Sequence, residues 1–161
     1  MDDLADMHAV LSSPAATRFW STPPHDDVEQ TREWLAAMIA SPPEQSYDFL
    51  VEREGRVIGK AGFWRLPEIG FILHPDHWGQ GLGYEALSVL VSRAFARFHM
   101  PALTADVDPA NIASQRLLAK LGFREVRREK NTWFIAGKWH DSIFLELPRP
   151  EARSSLPRRR G

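Results

Sequence analysis

The chain runs to 161 residues, of which 25% are charged and 43% hydrophobic, with a formal net charge of −1. That length supports one domain with a sizeable core, and the charge balance supplies no basic field to hold nucleic acid. With no cysteine there is no disulfide framework, no thiolate metal site and no catalytic thiol, which fits a reducing compartment. No apolar run approaches the roughly 18–20 residues of a membrane span. The acidic start, MDDLADMH, is unlike a signal peptide. The expected location is the cytoplasm, with neither membrane nor nucleic acid as a partner.

Leu4, Met7, His8 and Leu11 share a helical face, which Ser12, Ser13 and Pro14 close. A loop over Thr22, Pro23, Pro24 and His25 leads into a second helix over 26–40, acidic in its first turn, with Trp34, Leu35, Met38 and Ile39 inward. Ser41, Pro42 and Pro43 stop it, and the grammar changes to strands. Strands over 47–53 and 56–64 flank Glu54 and Gly55, which read as a hairpin turn. A buried strand at 69–73 follows Pro67. A long amphipathic helix then spans 82–98, with Leu87, Leu90, Ala94 and Phe95 among its inward residues. After a short strand at 103–107, DPAN turns into another helix with Leu117, Leu118 and Leu121 inward and Gly122 as its C′ residue. Two last strands, 123–135 and 139–147, form a hairpin across Ala136, Gly137 and Lys138. One domain is expected over 1–147. The remaining PRPEARSSLPRRRG has no apolar period and reads as a disordered basic tail, 148–161.

The chain is organised around residues 68–86, EIGFILHPDHWGQGLGYEA. His74 and Pro75 end the apolar strand, and Gly79, Gly81 and Gly83 alternate before the helix starts near Leu82. A strand, a glycine-rich turn and a helix N-terminus together make an anion site, because unpaired N–H groups and the helix dipole point into the loop. No lysine follows the glycines, so this is not a P-loop, and the third position of a dinucleotide fingerprint falls on Tyr84. His74, Asp76 and His77 are close in sequence but lack helical i, i+4 pairing, so no metal is expected.

The remaining pattern, WGQGLGYEA after a strand ending in HP, resembles the acetyl-coenzyme A loop of the GNAT N-acetyltransferases, most of all the RimJ/RimL-type branch that acetylates protein N-termini. NIASQRLLAKLGF, residues 111–123, is similar to the family's NxxSxxxxxKxGF helix, and GKWHDSIFLEL to the branch's last strand. The resemblance implies an α/β (α+β) GNAT fold: a mixed, mostly antiparallel twisted sheet flanked by helices. Family members begin with a strand ahead of a DDL-type helix start, whereas here Met1 directly precedes Asp2, Asp3 and Leu4. Either the start is set too late or the sheet lacks its first strand, and in the second case the exposed next strand would invite two copies to associate as a homodimer.

By the same resemblance acetyl-CoA is the co-substrate. Its pantetheine arm pairs with Phe71, Ile72 and Leu73, and its pyrophosphate rests on the loop Gly79, Gln80, Gly81, Leu82, Gly83 and Tyr84. Trp78 stands where the branch carries tryptophan, with core packing as its other reading. Asn111 is placed against the cofactor arm and Ser114 against its sulfur. Leu118 occupies the position of the family's tyrosine acid and cannot give a proton, so Ser114 or a water assists the thiolate. Transfer to an amine also needs a neutral nitrogen and a stabilised oxyanion. Glu68 is the candidate base, through water. His74 and His140 are bases by residue type, and Asp141 reads as structural. The function expected is acetyl transfer to a primary amine by direct attack in a ternary complex. The acceptor is a protein N-terminus, an amino acid, a polyamine or an aminoglycoside. The other reading is a coenzyme-binding scaffold without useful activity.

Overall fold

Up to Ala40 the regular elements of the described chain are all helices, and strands begin at Tyr47, as the change of apolar period from 3.6 to 2 requires. The computed structural model describes residues 3–151. Three helices come first: Asp3–Leu11 (α1), the single turn Pro14–Thr17 (α2) and Val28–Ala40 (α3). Ser13 caps α2 and Asp27 caps α3, each accepting a backbone N–H three residues on. Strands Tyr47–Arg53 (β1), Arg56–Arg65 (β2) and Glu68–Leu73 (β3) follow, then a 3-10 turn, Pro75–His77, and the long helix Leu82–Arg97 (α4). Ala102–Val107 (β4), Ile112–Lys120 (α5), Arg124–Ile135 (β5) and Lys138–Pro148 (β6) complete the order.

The six strands form one open sheet in the order β1-β2-β3-β4-β6-β5. Neighbours run antiparallel except β3 and β4, which are parallel. Both hairpins turn on two consecutive positive-φ residues, Glu54 (53°) with Gly55 (77°) and Ala136 (49°) with Gly137 (79°), the geometry that matches strand twist. Among the described residues no strand precedes α1, and β1 has no neighbour on its outer side.

Helices cover both faces. Leu87, Leu90 and Ala94 of α4 and Leu118 of α5 pack on Phe63, Leu103, Ala105, Val107 and Ile143. On the other face Leu4, Met7, Val10 and Leu11 of α1, with Leu35 of α3, cover Val57 and Ile72. Ile39, expected inward, is 71% exposed, while Trp34 and Met38 turn toward the cleft described below. The position facing α1 is held by Thr31, fully buried, whose hydroxyl lies 2.8 Å from Nδ1 of both His8 and His25. The sheet's last strand reaches Pro148, and Arg149 donates to the carbonyls of Phe95, Phe98 and Met100 at the C-terminal end of α4. Most of the expected tail, residues 152–161, lies outside the described residues.

Burial, followed by the nearby His8, holds the His25 imidazole below its ordinary value of 6.5. The unfolded chain takes up this proton more readily, so the associated stability is complete above 6.5 and is lost as pH falls through the lower folded value. Thermal unfolding followed from pH 8 to 5 should show a falling midpoint below pH 6.5, and His25→Gln should flatten that limb.

Candidate active site

The site starts from a loss of pairing. Glu68 and Thr104 are the one register pair between β3 and β4, and beyond it the strands part. The N–H of His74 bonds to Ile58 O at 2.8 Å. Antiparallel ladders alternate, so Gly70 and Ile72 turn their peptide groups toward β2 while Ile69, Phe71 and Leu73 turn theirs toward the gap. Phe71 is therefore placed to pair with an extended ligand. Ile72, expected to do the same, directs its backbone to β2 and is buried against α1 and α3. The carbonyl of Leu73 accepts the indole N–H of Trp78 at 2.9 Å. Trp78 is thus half-exposed and braces the strand end, rather than packing in the core.

Beyond β3 the chain rises to α4 through Gly79 (φ 70°) and Gly81 (φ 79°), both left-handed. A Cβ at either would meet nothing within 4 Å, so the cradle is open. Gly81 is the N-cap of α4 and supplies no side-chain acceptor, which leaves the first-turn N–H groups, Leu82 through Tyr84, available to an anion. Gly83 serves packing as well, since a Cβ there would sit 3.2 Å from Leu117 of α5. Gln80 is held at both ends, accepting from Arg53 at 2.6 Å and donating to Asp76 O at 2.9 Å. Arg53 therefore brings a guanidinium beside the glycine loop, and the sequence reading missed it because Arg53 ends a distant strand. These donors suit a pyrophosphate. No group of three or more His, Asp or Glu poised for a metal ion occurs among the described residues.

On the face carrying α1 and α3 the gap opens into a cleft of about 450 Å³. Glu68, Phe71, Asn111 and Ser114 line it, as does Leu118, while Leu73 and the glycine loop lie outside it. A bulge in β2 opposite Ile69 swings Trp64 beside Glu68, with its indole nitrogen 3.4 Å from the carboxylate. Asn111 caps α5 by accepting the Ser114 N–H at 3.1 Å, which leaves its amide NH₂ and the Ser114 hydroxyl for a ligand. Asp141 accepts the N–H of Asn131 at 2.9 Å and pins a bulge in β5.

Sequence reasoning overlooked three acidic residues of this cleft, Asp48, Asp106 and Asp108. Asp106 accepts the Trp133 indole N–H at 2.7 Å, and Asp108 lies 2.8 Å from Nδ1 of His140. In sequence Asp108 is only part of a turn, and nothing there joins it to a histidine 32 residues away. Asp48 and Lys60 form a buried ion pair at 2.7 Å on the cleft wall, closer to ionic contact than to an aligned hydrogen bond. Burial pushes the Lys60 ammonium down from its ordinary value, and Asp48 only partly offsets this. Asp141 lines the cleft as well.

Residues 1–124 match the family model described as "Acetyltransferase (GNAT) domain". The chain is 31% identical over 150 residues to an L-amino acid N-acyltransferase, MnaT, of Escherichia coli, covering 87% of this chain and 82% of that protein. It is 29% identical over 105 residues to the [ribosomal protein uS5]-alanine N-acetyltransferase of the same organism, covering 61% and 54%. In fold it is similar to a GNAT-family acetyltransferase of Bacillus anthracis, with a TM-score of 0.80, 18% identity and coverage of 91% and 89%.

Lys60→Ala leaves Asp48 buried without its cation and should cost about 3–5 kcal/mol in urea unfolding. Lys60→Met combined with Asp48→Leu should recover most of that loss. An unchanged midpoint for Lys60→Ala would show that the pair does not support the cleft wall.

Proposed function

The chain belongs to the GNAT acetyltransferase family, and from that premise we propose that it moves the acetyl group of acetyl-CoA to a protein N-terminal α-amine, by direct attack in a ternary complex. The WGQGLGYEA loop, Ser114 and the GKWHDS strand support the RimJ/RimL-type branch. The cysteine-free composition suits work in the cytoplasm.

The observation that carries this reading is the charge of the acceptor cleft. Besides the mutually neutralised pair Asp48 and Lys60, four carboxylates line it, Glu68, Asp106, Asp108 and Asp141, against Arg18. The indoles of Trp34, Trp64 and Trp133 join them. Such a wall favours an ammonium and opposes an acceptor that carries its own carboxylate beside the amine. Trp20 lines the cleft as well, and its buried indole N–H has no partner among the described residues.

When bound, acetyl-CoA supplies the activated acyl carbon. Phe71 pairs with its arm in the gap and the Gly79–Tyr84 loop takes its pyrophosphate. An α-amine, with a pKa near 8, is substantially neutral at cellular pH, whereas an aliphatic amine near 10 is not. Glu68, at the apex of the gap, takes the ammonium proton through water. Ser114 donates a hydrogen bond to the departing sulfur, compensating for the tyrosine hydroxyl that Leu118 cannot supply. Two copies associating through the free edge of β1 complete the proposal; a monomer by light scattering would remove that part.

Acetyl-CoA titrated by calorimetry, followed by peptides, amino acids and polyamines with thiol detection, tests the reading. Peptides with a free N-terminus should release thiol faster than free amino acids. Ser114→Ala should lower kcat on the order of 10²-fold with acetyl-CoA binding kept. The penalty of Glu68→Gln should shrink for weakly basic acceptor amines. Binding without thiol release from any amine would leave a coenzyme-binding scaffold.

A further inference from the structure

Acetyl transfer removes two protons from an acceptor ammonium: one before attack, and a second as the new N–C bond forms. Glu68 accounts for the first under the reading above, on which this inference rests. The second must reach the sulfur, and Leu118 offers no acid. We propose that His140, held by Asp108, carries it.

The pair is built for orientation. Asp108 uses both carboxylate oxygens: Oδ1 accepts the Ala110 N–H at 2.7 Å and Oδ2 lies 2.8 Å from His140 Nδ1. The loop beneath is tied by Gln115, whose amide donates to Pro109 O at 2.8 Å. An ionised carboxylate can only accept, so Nδ1 carries the hydrogen and Nε2 keeps its lone pair. His140 is held from its own side as well. The β5 strand carries two extra residues between Glu129 and Trp133, with Asn131 at φ 55°, and Thr132 donates to His140 O at 3.1 Å.

Position in the sheet gives the pair its role. The buried row Leu103, Ala105, Val107 and Ile143 faces α4 and α5. Strand alternation therefore puts Asp106 and His140 on the opposite face, where the acceptor enters. Glu68 sits beside Thr104, four residues along from Asp108, or roughly 13 Å at strand rise. The two proton acceptors thus stand at opposite ends of one cleft, with Ser114 lining it too. As the amine nitrogen bonds to the acyl carbon and the C–S bond breaks, the nitrogen's surplus proton passes to Nε2 of His140 and then to the sulfur. Amine and thioester become amide and thiol, and His140 returns neutral. Asp108 is a positioning residue that also stabilises the transient imidazolium, the logic of an oriented histidine in acyl transfer.

Two measurements on the full chain test this. Ring ¹⁵N NMR of the wild type should find His140 protonated at Nδ1 and bare at Nε2, and Asp108→Asn should abolish that preference. The reverse tautomer in the wild type would overturn the assignment before any assay is run. His140→Ala should lower kcat by about 10²–10³-fold with acetyl-CoA affinity within about twofold, and free imidazole should restore at least about tenfold of it. His140→Gln, which keeps a donor toward Asp108, should be equally slow and covers the case in which the alanine variant does not fold. Turnover within about threefold of wild type in His140→Gln, or a folded His140→Ala that imidazole does not rescue, would overturn the proposal. Absence of thiol release from the wild type with every amine would instead sink the transferase reading itself.

Discussion

Beyond Glu68 and Thr104 the two central strands give up their mutual hydrogen bonds, and the site depends on where those bonds are not made. Buried peptide groups require partners, so an open gap between parallel strands persists only if something else can fill it. The odd-numbered residues of β3 face that gap, with Phe71 in the cleft wall. On one side of the sheet the gap meets α5 and the start of α4, which offer amide donors. On the other it meets carboxylates and indoles. One break in a ladder thereby brings an anion-binding surface and a cation-binding surface to the same few residues.

Much of this was legible in the chain because the signals were local. The strand, three glycines and helix of residues 68–86 form as their composition requires, and the hairpin at Glu54 and Gly55 and the helix stop at Gly122 follow from backbone preferences. Glu68, Phe71, Asn111 and Ser114 were expected at the site and share one cleft. The reading erred where periodicity was asked to choose a face. Ile39 is apolar but faces solvent, while Thr31, a polar residue, is fully buried within hydrogen-bond distance of two imidazoles.

What was not legible is the pairing of charges across strands. Asp48 meets Lys60, Asp106 meets Trp133, and Asp108 meets His140 only after the sheet has set its register and its bulges. The bulge between Glu129 and Trp133 shifts the pairing of β5 with β6 by two residues, and no count along the sequence shows that shift. Ile72 and Gly83 illustrate the same limit at smaller scale. Each lies inside a correctly placed motif, yet one faces β2 and the other packs on Leu117.

The treatment of α4 at its two ends has an electrostatic consequence. The carbonyls of Phe95 and the C-cap Phe98 receive the Arg149 guanidinium, a permanent cation on the negative pole of the helix. Its first turn receives no side-chain cap at all. With one pole quenched and the other bare, the helix presents a net positive end to the glycine loop. The final described residues of the chain, far from any substrate in sequence, thus help set the field in which a phosphate would settle.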